Sequence, residues 1–475
     1  MPTTEDIPRK HMIALYYCYP PAPGIPKDNL EAHKLFHQEI CTNLDLGGRI
    51  RVSEEGINGV LSGTEDALRD YEARLRKELL KIVGVGDDEG SAGCNIDDGN
   101  DDPTTEWLDI KYCHLRNDIP MEQQLFDSLQ VKITREVVSL IEPTPQNQGK
   151  NKGKRCRQRR KQKRKEKQMQ EKLAEMSVAG DDESSKSTAK LAAAAKEVVN
   201  IEDWRNNTPA QHLSPEEWNN KLLELAQQEG DGSFQKSGAV LLDTRNIYET
   251  RVGHFAVPNL PTMFPNTRKF SSLPLALNTE EAAEALAGKE VFLYCTGGVR
   301  CERAGTYLRA LSDSNSGAWQ GKEKPKAIFQ LKGGIQKYLE TYGEQVEPKS
   351  DDDDNAQCLY RGKNFVFDQR RTDPVIGKGI TSKTAGDSSE RVGSVGQCII
   401  CNKAHDDYDN GFSPCDEKEA RCCRCRVLVL VCNDCRPKVR SCGEPEKDHA
   451  TDLLCGGTAC IDEGNVSEQV EAIRF

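Results

Sequence analysis

Cys295 stands in a sequence context that is typical of a reactive thiol. It follows the apolar residues Val291–Tyr294, which predict a buried strand, and it precedes a short loop with two adjacent glycines. A helix is predicted to begin near Cys301, so that backbone N–H groups and the Arg300 side chain would surround the sulfur. Such groups stabilise a thiolate and would hold an anion beside it.

The same residues argue against a cysteine that only fills space at the end of a strand. Free cysteines often do so, but that interpretation gives no role to the two glycines or to the arginine. We therefore predict that Cys295 and Arg300 are catalytic. The residues expected to line the loop and contact a substrate are Thr296, Gly297, Gly298, Val299 and Cys301.

The length of the loop distinguishes two kinds of cysteine enzyme. Four residues separate Cys295 from Arg300, whereas the loop of a cysteine phosphatase is one residue longer and can surround a phosphate. A loop of the shorter size resembles the sulfur-handling loop of the rhodanese family.

Other segments extend this resemblance from about residue 209 to residue 345. The segment 238–245 is similar to the family's strand that ends in Asp-x-Arg, and 329–335 is similar to its last strand and Gly-Gly turn. Gly253-His254 also follows the family, whereas Phe255-Ala256-Val257-Pro258 replaces the family's Ile-x-Gly-Ala. We expect Asp243 and Arg245 to be structural ion-pair and hydrogen-bond partners beneath the loop, with catalysis by either residue as the alternative.

Strands that alternate with helical segments predict a small parallel sheet, with helices on both faces, around this loop. Ligands of such sheets bind at the carboxyl ends of the strands, where Cys295 would lie. The chain has 475 residues, which at about 150 residues per domain suggests three domains. We predict a multidomain α/β protein with a ferredoxin-like α+β domain in 1–142, a basic low-complexity linker in 143–200, a rhodanese-type domain in 201–345 and a Cys-rich, zinc-stabilised region in 346–475.

The N-terminal domain is predicted from its order of strands and helices. Strand-like residues 12–17 precede a helix over 29–43, and two strands around a Gly/Asn turn follow in 48–63. A helix over about 65–83 and strands in 107–112 and 131–138 complete the domain. This order favours the ferredoxin-like fold.

The run Glu55-Gly56-Ile57-Asn58-Gly59 is more specific than the fold. Together with the Cys-Thr-Gly-Gly-Val-Arg-Cys loop, it resembles the tRNA uridine hydroxylase family of bacteria and its eukaryotic rhodanese-like relatives. The resemblance implies oxygen-dependent 5-hydroxylation of the wobble uridine of tRNA, with molecular oxygen as co-substrate and with the loop cysteine required. For Asn58 a role in the turn and a contact with RNA stand as equal alternatives; the candidate RNA contacts of this segment are Arg49, Arg51 and Asn58.

The segment Lys150–Lys167, here called the basic segment, has no counterpart in the bacterial pattern. Its twelve basic residues and one acidic residue give +11, so that the rest of the chain, with a total of −11, carries −22. Positive charge concentrated in this way is typical of binding to a phosphate backbone. A nuclear-targeting signal and a solvated linker are the alternatives. The candidate RNA contacts here are Lys154, Arg155, Arg157, Arg159 and Arg160.

Eleven of the 19 cysteines lie at or beyond position 398. Two Cys-x-x-Cys pairs have the spacing of zinc knuckles, in which thiolates converge on one tetrahedral ion. Redox-inert buried cysteines are the alternative, but a segment with so few apolar residues needs a metal to fold. We predict one or two structural Zn²⁺ ions, and the spacing leaves open which four thiols bind each. The candidate ligands are Cys398, Cys401, Cys415, Cys425, Cys432 and Cys435.

Three functions fit these features. The first is a tRNA uridine hydroxylase. The second is a sulfurtransferase that carries sulfane sulfur as a Cys295 persulfide, exchanges it with a donor or acceptor protein and uses Cys301 as a second thiol. The third is a non-catalytic, zinc-stabilised RNA-binding protein, which the intact loop disfavours. The Glu-Gly-Ile-Asn-Gly run and the basic segment favour the first.

The location of the protein in the cell is predicted from two features that the sequence lacks. It has no apolar run of about 18 residues, and its first residues do not have the pattern of a signal peptide. We expect a cytoplasmic protein with tRNA as partner and no membrane contact, in which cysteines are reduced, metal-bound or catalytic. The basic segment leaves a nuclear location as the alternative.

Overall fold

The computed structural model describes residues 10–21, 24–82, 104, 107–115, 120–140, 208–227, 237–343, 358–366, 371–374, 395–408, 420–422 and 427–436. Within these residues no helix combines the length and the apolar character needed to cross a bilayer.

The N-terminal domain has the ferredoxin-like βαββαβ order. Its sheet has the strand order β4-β1-β3-β2-β5, in which β5 is parallel to β2 and the other neighbours are antiparallel. The predicted fold is confirmed. The elements are β1 (His11–Cys18), α1 (Leu30–Asn43), β2 (Gly47–Ser53), β3 (Gly56–Thr64), α2 (Glu65–Ile82), β4 (Leu108–His114) and β5 (Leu129–Ile133), with 3₁₀ turns at Lys27–Asn29 and Met121–Gln123.

The two faces of this sheet have different surroundings because successive strand residues point to opposite sides. Ile50 and Val52 of β2 are buried in the core that α1 and α2 cover, together with Leu68 and Leu75 of α2. The alternate residues of β2 are arginines on the other face. That second face is turned towards the central domain.

The central domain is built on a parallel sheet of strand order β6-β11-β10-β7-β9. Helices cover both faces, and the three inner strands are buried on both, as predicted. The elements are β6 (Gln211–Leu213), α3 (Pro215–Ala226), β7 (Ala239–Asp243), α4 (Ile247–Thr250), β8 (Gly253–Phe255), β9 (Thr262–Met263), α5 (Leu273–Leu277), α6 (Glu280–Leu286), β10 (Glu290–Tyr294), α7 (Val299–Asp313), β11 (Ala327–Leu331) and α8 (Gly334–Tyr342), with 3₁₀ turns at Phe270–Ser272 and Gly317–Trp319.

The Cys-rich region packs against the central domain through a third, antiparallel sheet and through α4. Strands β12 (Tyr360–Val366) and β13 (Arg371–Pro374) join β8 in the order β13-β12-β8. Beyond them, Tyr408 donates a hydrogen bond to the backbone oxygen of Tyr248 on α4 at 2.8 Å. Ile247 of α4 lies in the apolar cluster formed by the Cys-rich region.

Two local predictions in the N-terminal domain were wrong. The strand predicted over 131–138 ends at Ile133, because Val137 is instead buried against the central domain. The predicted Gly/Asn turn lies earlier, at Glu54 and Glu55, and Gly56 already begins β3.

Candidate active site and metal centre

The cysteine loop, residues 295–300, joins the end of β10 to the first turn of α7. Gly298 has φ of +96°, and a Cβ there would lie 2.6 Å from the hydroxyl oxygen of Tyr17 in the N-terminal domain. Its N–H donates a hydrogen bond to the Cys295 sulfur at 3.1 Å. In the first turn of α8, the N–H groups of Ile335 and Gln336 donate to the carbonyl oxygens of residues 295 and 296 at 2.9 and 3.0 Å. The loop is therefore fixed between the starts of α7 and α8.

The Cys295 thiol is fully buried. Burial raises its pKa, but the hydrogen bond from the Cys301 thiol, the charge of Arg300 and the backbone N–H groups of residues 300 and 301 outweigh burial and lower the pKa to about 6. Burial and the neighbouring Cys295 raise the pKa of Cys301 well above its usual range. At neutral pH the pair is a thiolate at Cys295 that accepts a hydrogen bond from a thiol at Cys301.

Arg300 is held by Glu249 of α4, a residue that the sequence analysis did not identify. The Arg300 guanidinium donates to both carboxylate oxygens of Glu249 at 2.7 Å and to the Thr296 hydroxyl at 3.0 Å. Burial raises the pKa of Glu249, but the charge of Arg300 and its hydrogen bonds outweigh that and lower it. The Asn246-x-x-Glu249 capping box is a sequence signal that could have identified this glutamate.

Asp243 and Arg245 form a fully buried ion pair, with 2.6 Å between Arg245 Nη2 and Asp243 Oδ2. Arg245 also donates to the carbonyl oxygen of Gly253 at 2.6 Å and to the Tyr360 hydroxyl at 3.3 Å. None of these partners belongs to the cysteine loop.

Above the cysteine loop lies a cleft of about 530 Å³ that all three parts of the protein line. The N-terminal domain contributes the outer face of its sheet, and the Cys-rich region contributes a third wall. The charged side chains that line it are Arg49, Arg51, Lys111, Glu249, Arg268, Arg300 and Arg421. Among the described residues that line it, six are cationic and one is a carboxylate, Glu249, which is paired with Arg300; of the cations, Lys111 is paired with Asp109 at 2.6 Å.

The structure brings three of the predicted RNA contacts to this cleft. Arg49 and Arg51 are exposed on β2, and Asn58 pairs with Arg51 across the β2–β3 ladder. The Asn58 amide donates to the backbone oxygen of Val137 at 3.4 Å and also lines the cleft. Sequence reasoning missed Lys111, because a single lysine in a strand carries no local signal.

The Glu-Gly-Ile-Asn-Gly run is explained residue by residue. Gly56 has φ of +147°, and a Cβ there would meet the backbone oxygen of Cys18 at 2.0 Å; a Cβ on Gly59 would meet the Tyr16 ring at 2.3 Å. Ile57 is fully buried in the core. Asn58 and Gly59 of the run line the cleft, and Asn58 is the one that brings a polar side chain to it.

Glu55, the first residue of this run, connects the two domains. Its carboxylate lies 3.1 Å from a guanidinium nitrogen of Arg303 on α7, and Glu136 lies 2.7 Å from another. All three side chains are buried. Glu55 and Glu136 also accept the backbone N–H groups of Val137 and Leu140 at 3.0 and 3.1 Å. This buried group sets the N-terminal sheet above the helix that follows the cysteine loop.

Four of the six candidate metal ligands converge. The sulfur atoms of Cys398, Cys401, Cys432 and Cys435 all lie within 4.8 Å of one another. Zn–S bonds of about 2.3 Å in a tetrahedron place sulfurs about 3.8 Å apart, and Cys401 and Cys432 are separated by 3.6 Å. The donor set therefore fits a metal ion that prefers four thiolates.

The remaining predicted residues lie outside the described part of the chain. These are the metal candidates Cys415 and Cys425 and the basic-segment candidates Lys154, Arg155, Arg157, Arg159 and Arg160.

Two family models match this chain. Residues 11–137 match the UPF0176 acylphosphatase like domain, and residues 223–341 match the Rhodanese-like domain. The chain therefore carries an acylphosphatase-like domain followed by a rhodanese-like domain. The rhodanese-like domain contains the cysteine loop.

Curated relatives extend the similarity beyond these domains. Rhodanese-like domain-containing protein 6 of Arabidopsis thaliana is 31% identical over 426 residues, which is 90% of this chain and 51% of that protein. The tRNA uridine(34) hydroxylase of Buchnera aphidicola is 28% identical over 50% of this chain and 59% of its own length. The protein of the same name from Corynebacterium diphtheriae is 25% identical over 94% of this chain and 97% of its own length.

These comparisons confirm the predicted resemblance to rhodanese-domain tRNA uridine hydroxylases and their eukaryotic relatives. The chain spans about half the length of the plant protein and about three fifths of the Buchnera protein. It covers 97% of the length of the Corynebacterium protein.

Proposed function

We propose that this protein hydroxylates C5 of the wobble uridine of tRNA and that Cys295 is the essential thiol. One observation carries the proposal: the loop that holds the low-pKa thiol forms part of a cleft lined by six cationic side chains and one carboxylate. The chain as a whole has a net charge of −11. An acidic protein that gathers cations around a reactive thiol is suited to a polyanionic substrate.

The aromatic residues of the cleft support a nucleic acid rather than a small anion. The half-buried ring of Tyr248 lines it and rests edge-on against the buried ring of Phe365, with the ring centroids 5.2 Å apart. Single-stranded RNA is bound by stacking unpaired bases on such rings while cations hold the backbone. The wobble base of an anticodon loop is such a base.

The chemistry requires an oxygen atom and two electrons. Insertion of one atom of molecular oxygen into the C5–H bond gives the alcohol, and the second atom leaves as water after taking up two electrons and two protons. A dithiol that becomes a disulfide releases both. Cys301 is the second buried thiol beside Cys295 and would complete such a pair.

Nucleoside mass analysis of total tRNA tests the proposal. Cells that lack the protein should lose hydroxylated uridine and its derivatives. Wild-type protein should restore them, and Cys295→Ser should not. Cys41→Ser changes a buried thiol remote from the cleft and is the matched control. Unchanged modified uridines in the cells that lack the protein would refute the proposal.

A sulfurtransferase is the second candidate, and the hydrogen bond from Gly298 to the Cys295 sulfur favours it. In that reaction the thiolate attacks a sulfane sulfur, a persulfide forms on Cys295, and the donor leaves as an anion. The same N–H group would stabilise the persulfide. Incubation with thiosulfate followed by intact-protein mass spectrometry tests it: one added sulfur atom that is absent from Cys295→Ser is the expected result.

For the four-cysteine group we propose one structural Zn²⁺ ion. Four thiolates fill a tetrahedral shell and leave no position for substrate. Elemental analysis of protein purified without chelator should give zinc, and Cys398→Ser with Cys432→Ser should abolish it. Absence of zinc would refute the assignment.

We further propose that the basic segment binds the tRNA backbone and that the protein works in the cytoplasm. Its deletion should reduce the slope of log affinity against log salt by about 0.7 to 0.9 for each lost phosphate contact. An unchanged slope with the protein displaced from the nucleus would instead support a targeting signal.

A further inference from the structure

We infer that the Cys-rich region is part of the nucleic-acid site and that Arg421 binds a phosphate of the substrate RNA. The inference rests on the proposed function only in that the ligand is RNA. Neither the cysteine loop nor the N-terminal domain includes this residue, and no spacing in the sequence indicates it.

The first argument is the position of Arg421. It lines the cleft together with Val427 and Leu428, and it belongs to a different part of the fold from the arginines of β2. Arg421 and Leu428 form an isolated antiparallel bridge. Backbone hydrogen bonds join Cys422 to Val427 at 2.8 Å and Val429 to Ala420 at 3.1 Å, so two short paired segments carry the arginine.

The second argument is that the metal centre holds these segments. The apolar residues that follow Leu428 lead directly into Cys432, and Ile399 donates its N–H to the backbone oxygen of Leu430 at 2.9 Å. The buried side chains of Cys422, Val427 and Val429 belong to the same cluster as the metal thiols. A metal ion on the four cysteines therefore supports the wall that presents Arg421.

The third argument is the attachment of this wall to the active site. Tyr408 donates to the backbone oxygen of Tyr248, and Ile247 lies in the cluster of the Cys-rich region. Both contacts are on α4, the helix whose Glu249 holds Arg300 of the cysteine loop. The wall and the loop thus share one helix, which fixes the position of Arg421 relative to the thiol.

The fourth argument is electrostatic. Three parts of the fold direct cations into one cleft whose only lining carboxylate, among the described residues, is already bound by Arg300. A phosphate backbone in this cleft would meet cations from all three parts of the fold. Arg421 is the cation that the Cys-rich region adds to those of the N-terminal sheet and the central domain.

Arg421→Gln in the full-length, metal-loaded protein tests the inference. The probe is an RNA stem-loop with a uridine in its loop, and its affinity is measured over a series of salt concentrations. Arg421→Gln should weaken binding by about three- to tenfold and flatten the salt slope by about 0.7 to 0.9, the loss of one phosphate contact. Arg421→Lys should retain most of the slope.

Lys403→Gln is the matched control. It removes the same charge from the same region, but Lys403 is an exposed partner of Asp434 at 3.2 Å and does not line the cleft. Unchanged zinc content in both variants shows that the region is folded. The inference is overturned if Arg421→Gln binds like the wild-type protein or if Lys403→Gln loses as much affinity.

The experiment separates this inference from the proposed function. If Arg421→Gln weakens RNA binding while tRNA from deficient cells keeps its hydroxylated uridine, the phosphate site stands and the hydroxylase proposal fails. If hydroxylation depends on Cys295 while Arg421→Gln has no effect on binding, the hydroxylase proposal stands and the phosphate site fails.

Discussion

Cys295 in the rhodanese-like domain and Cys18 in the N-terminal domain are equally buried and chemically opposite. Both thiols are fully inaccessible to solvent. Burial raises the pKa of Cys18 to about 12, whereas the pKa of Cys295 is lowered to about 6. The difference lies in the neighbours, because Cys295 has a thiol donor, an arginine and the N–H groups of a helix start around it, and Cys18 has the core of a sheet. Burial alone therefore predicts nothing about the reactivity of a thiol.

Exchanging each sulfur for oxygen should give the largest contrast between the two sites. Cys295→Ser should reduce uridine hydroxylation on the order of 10³-fold or more, because it removes one thiol of the pair that supplies the two electrons. Cys18→Ser should leave activity unchanged and cost about 1 to 3 kcal/mol of unfolding free energy, because it buries a hydroxyl in an apolar core. Hydroxylation assays and denaturant unfolding measure both. Equal hydroxylation activity of the two variants would show that Cys295 is no more important for the reaction than Cys18.

Alkylation rates compare the same thiols in the wild-type protein. At pH 7 a pKa of about 6 leaves Cys295 mostly ionised, whereas a pKa of about 12 leaves on the order of 10⁻⁵ of Cys18 as thiolate. The lower intrinsic nucleophilicity of a less basic thiolate offsets part of this ratio. Cys295 should therefore react with iodoacetamide about 10²-fold faster, as measured by peptide mass spectrometry. Cys41, whose pKa burial raises to about 12, should behave like Cys18.

The buried group around Arg303 is expected to hold the two domains together. Arg303→Ala leaves the carboxylates of Glu55 and Glu136 buried without their cation and should cost about 3 to 5 kcal/mol of unfolding free energy. Arg74→Ala breaks an exposed pair with Asp70 at 2.7 Å and should cost less than about 1 kcal/mol. Chemical denaturation measures both. Similar losses of unfolding free energy in the two variants would show that the buried group around Arg303 contributes no more than an exposed ion pair.

The effect on the titration of Cys295 is expected to be smaller than the loss of activity, and it follows from removing one of the groups that distinguish this thiol. Arg300→Gln deletes a positive charge that favours the thiolate, so the pKa of Cys295 should rise by about 1 to 3 pH units. The thiolate is present above the pKa and lost below it, so half-maximal alkylation should move from about pH 6 to a higher pH. Arg268→Gln removes a cation from the cleft lining and should leave the profile in place, since Arg268 is not among the groups that shift this pKa.

The four-cysteine group shows a third arrangement of cysteine. Each Cys-x-x-Cys sequence brings its own pair of thiols together. The two pairs meet only in the fold, because Cys401 and Cys432 are 31 residues apart in the sequence and their sulfur atoms lie 3.6 Å apart. At Cys295 the loop sequence determines the local chemistry, because Arg300 and Cys301 lie within six residues of the thiol.

Local sequence also determined the two folds. The alternation of β2 predicts one buried and one exposed face, and the apolar run of β10 predicts a strand buried on both. The prediction failed at residues 131–138, where Val137 is apolar because the other domain covers it rather than because it belongs to a strand. Apolar composition shows that a residue is buried but not which surface buries it.

The tertiary structure alone decided the composition of the cleft and of the domain contact. Lys111, Arg268 and Arg421 lie in unrelated segments, and nothing in the sequence around them indicates that they share one cleft. Glu55 looks like a turn residue until Arg303, far along the chain, is placed 3.1 Å from it. Short-range hydrogen bonds and hydrophobic periodicity involve residues that are close in the sequence, so they can be predicted from it. Electrostatic interactions between domains depend on interatomic distances that only the folded structure sets.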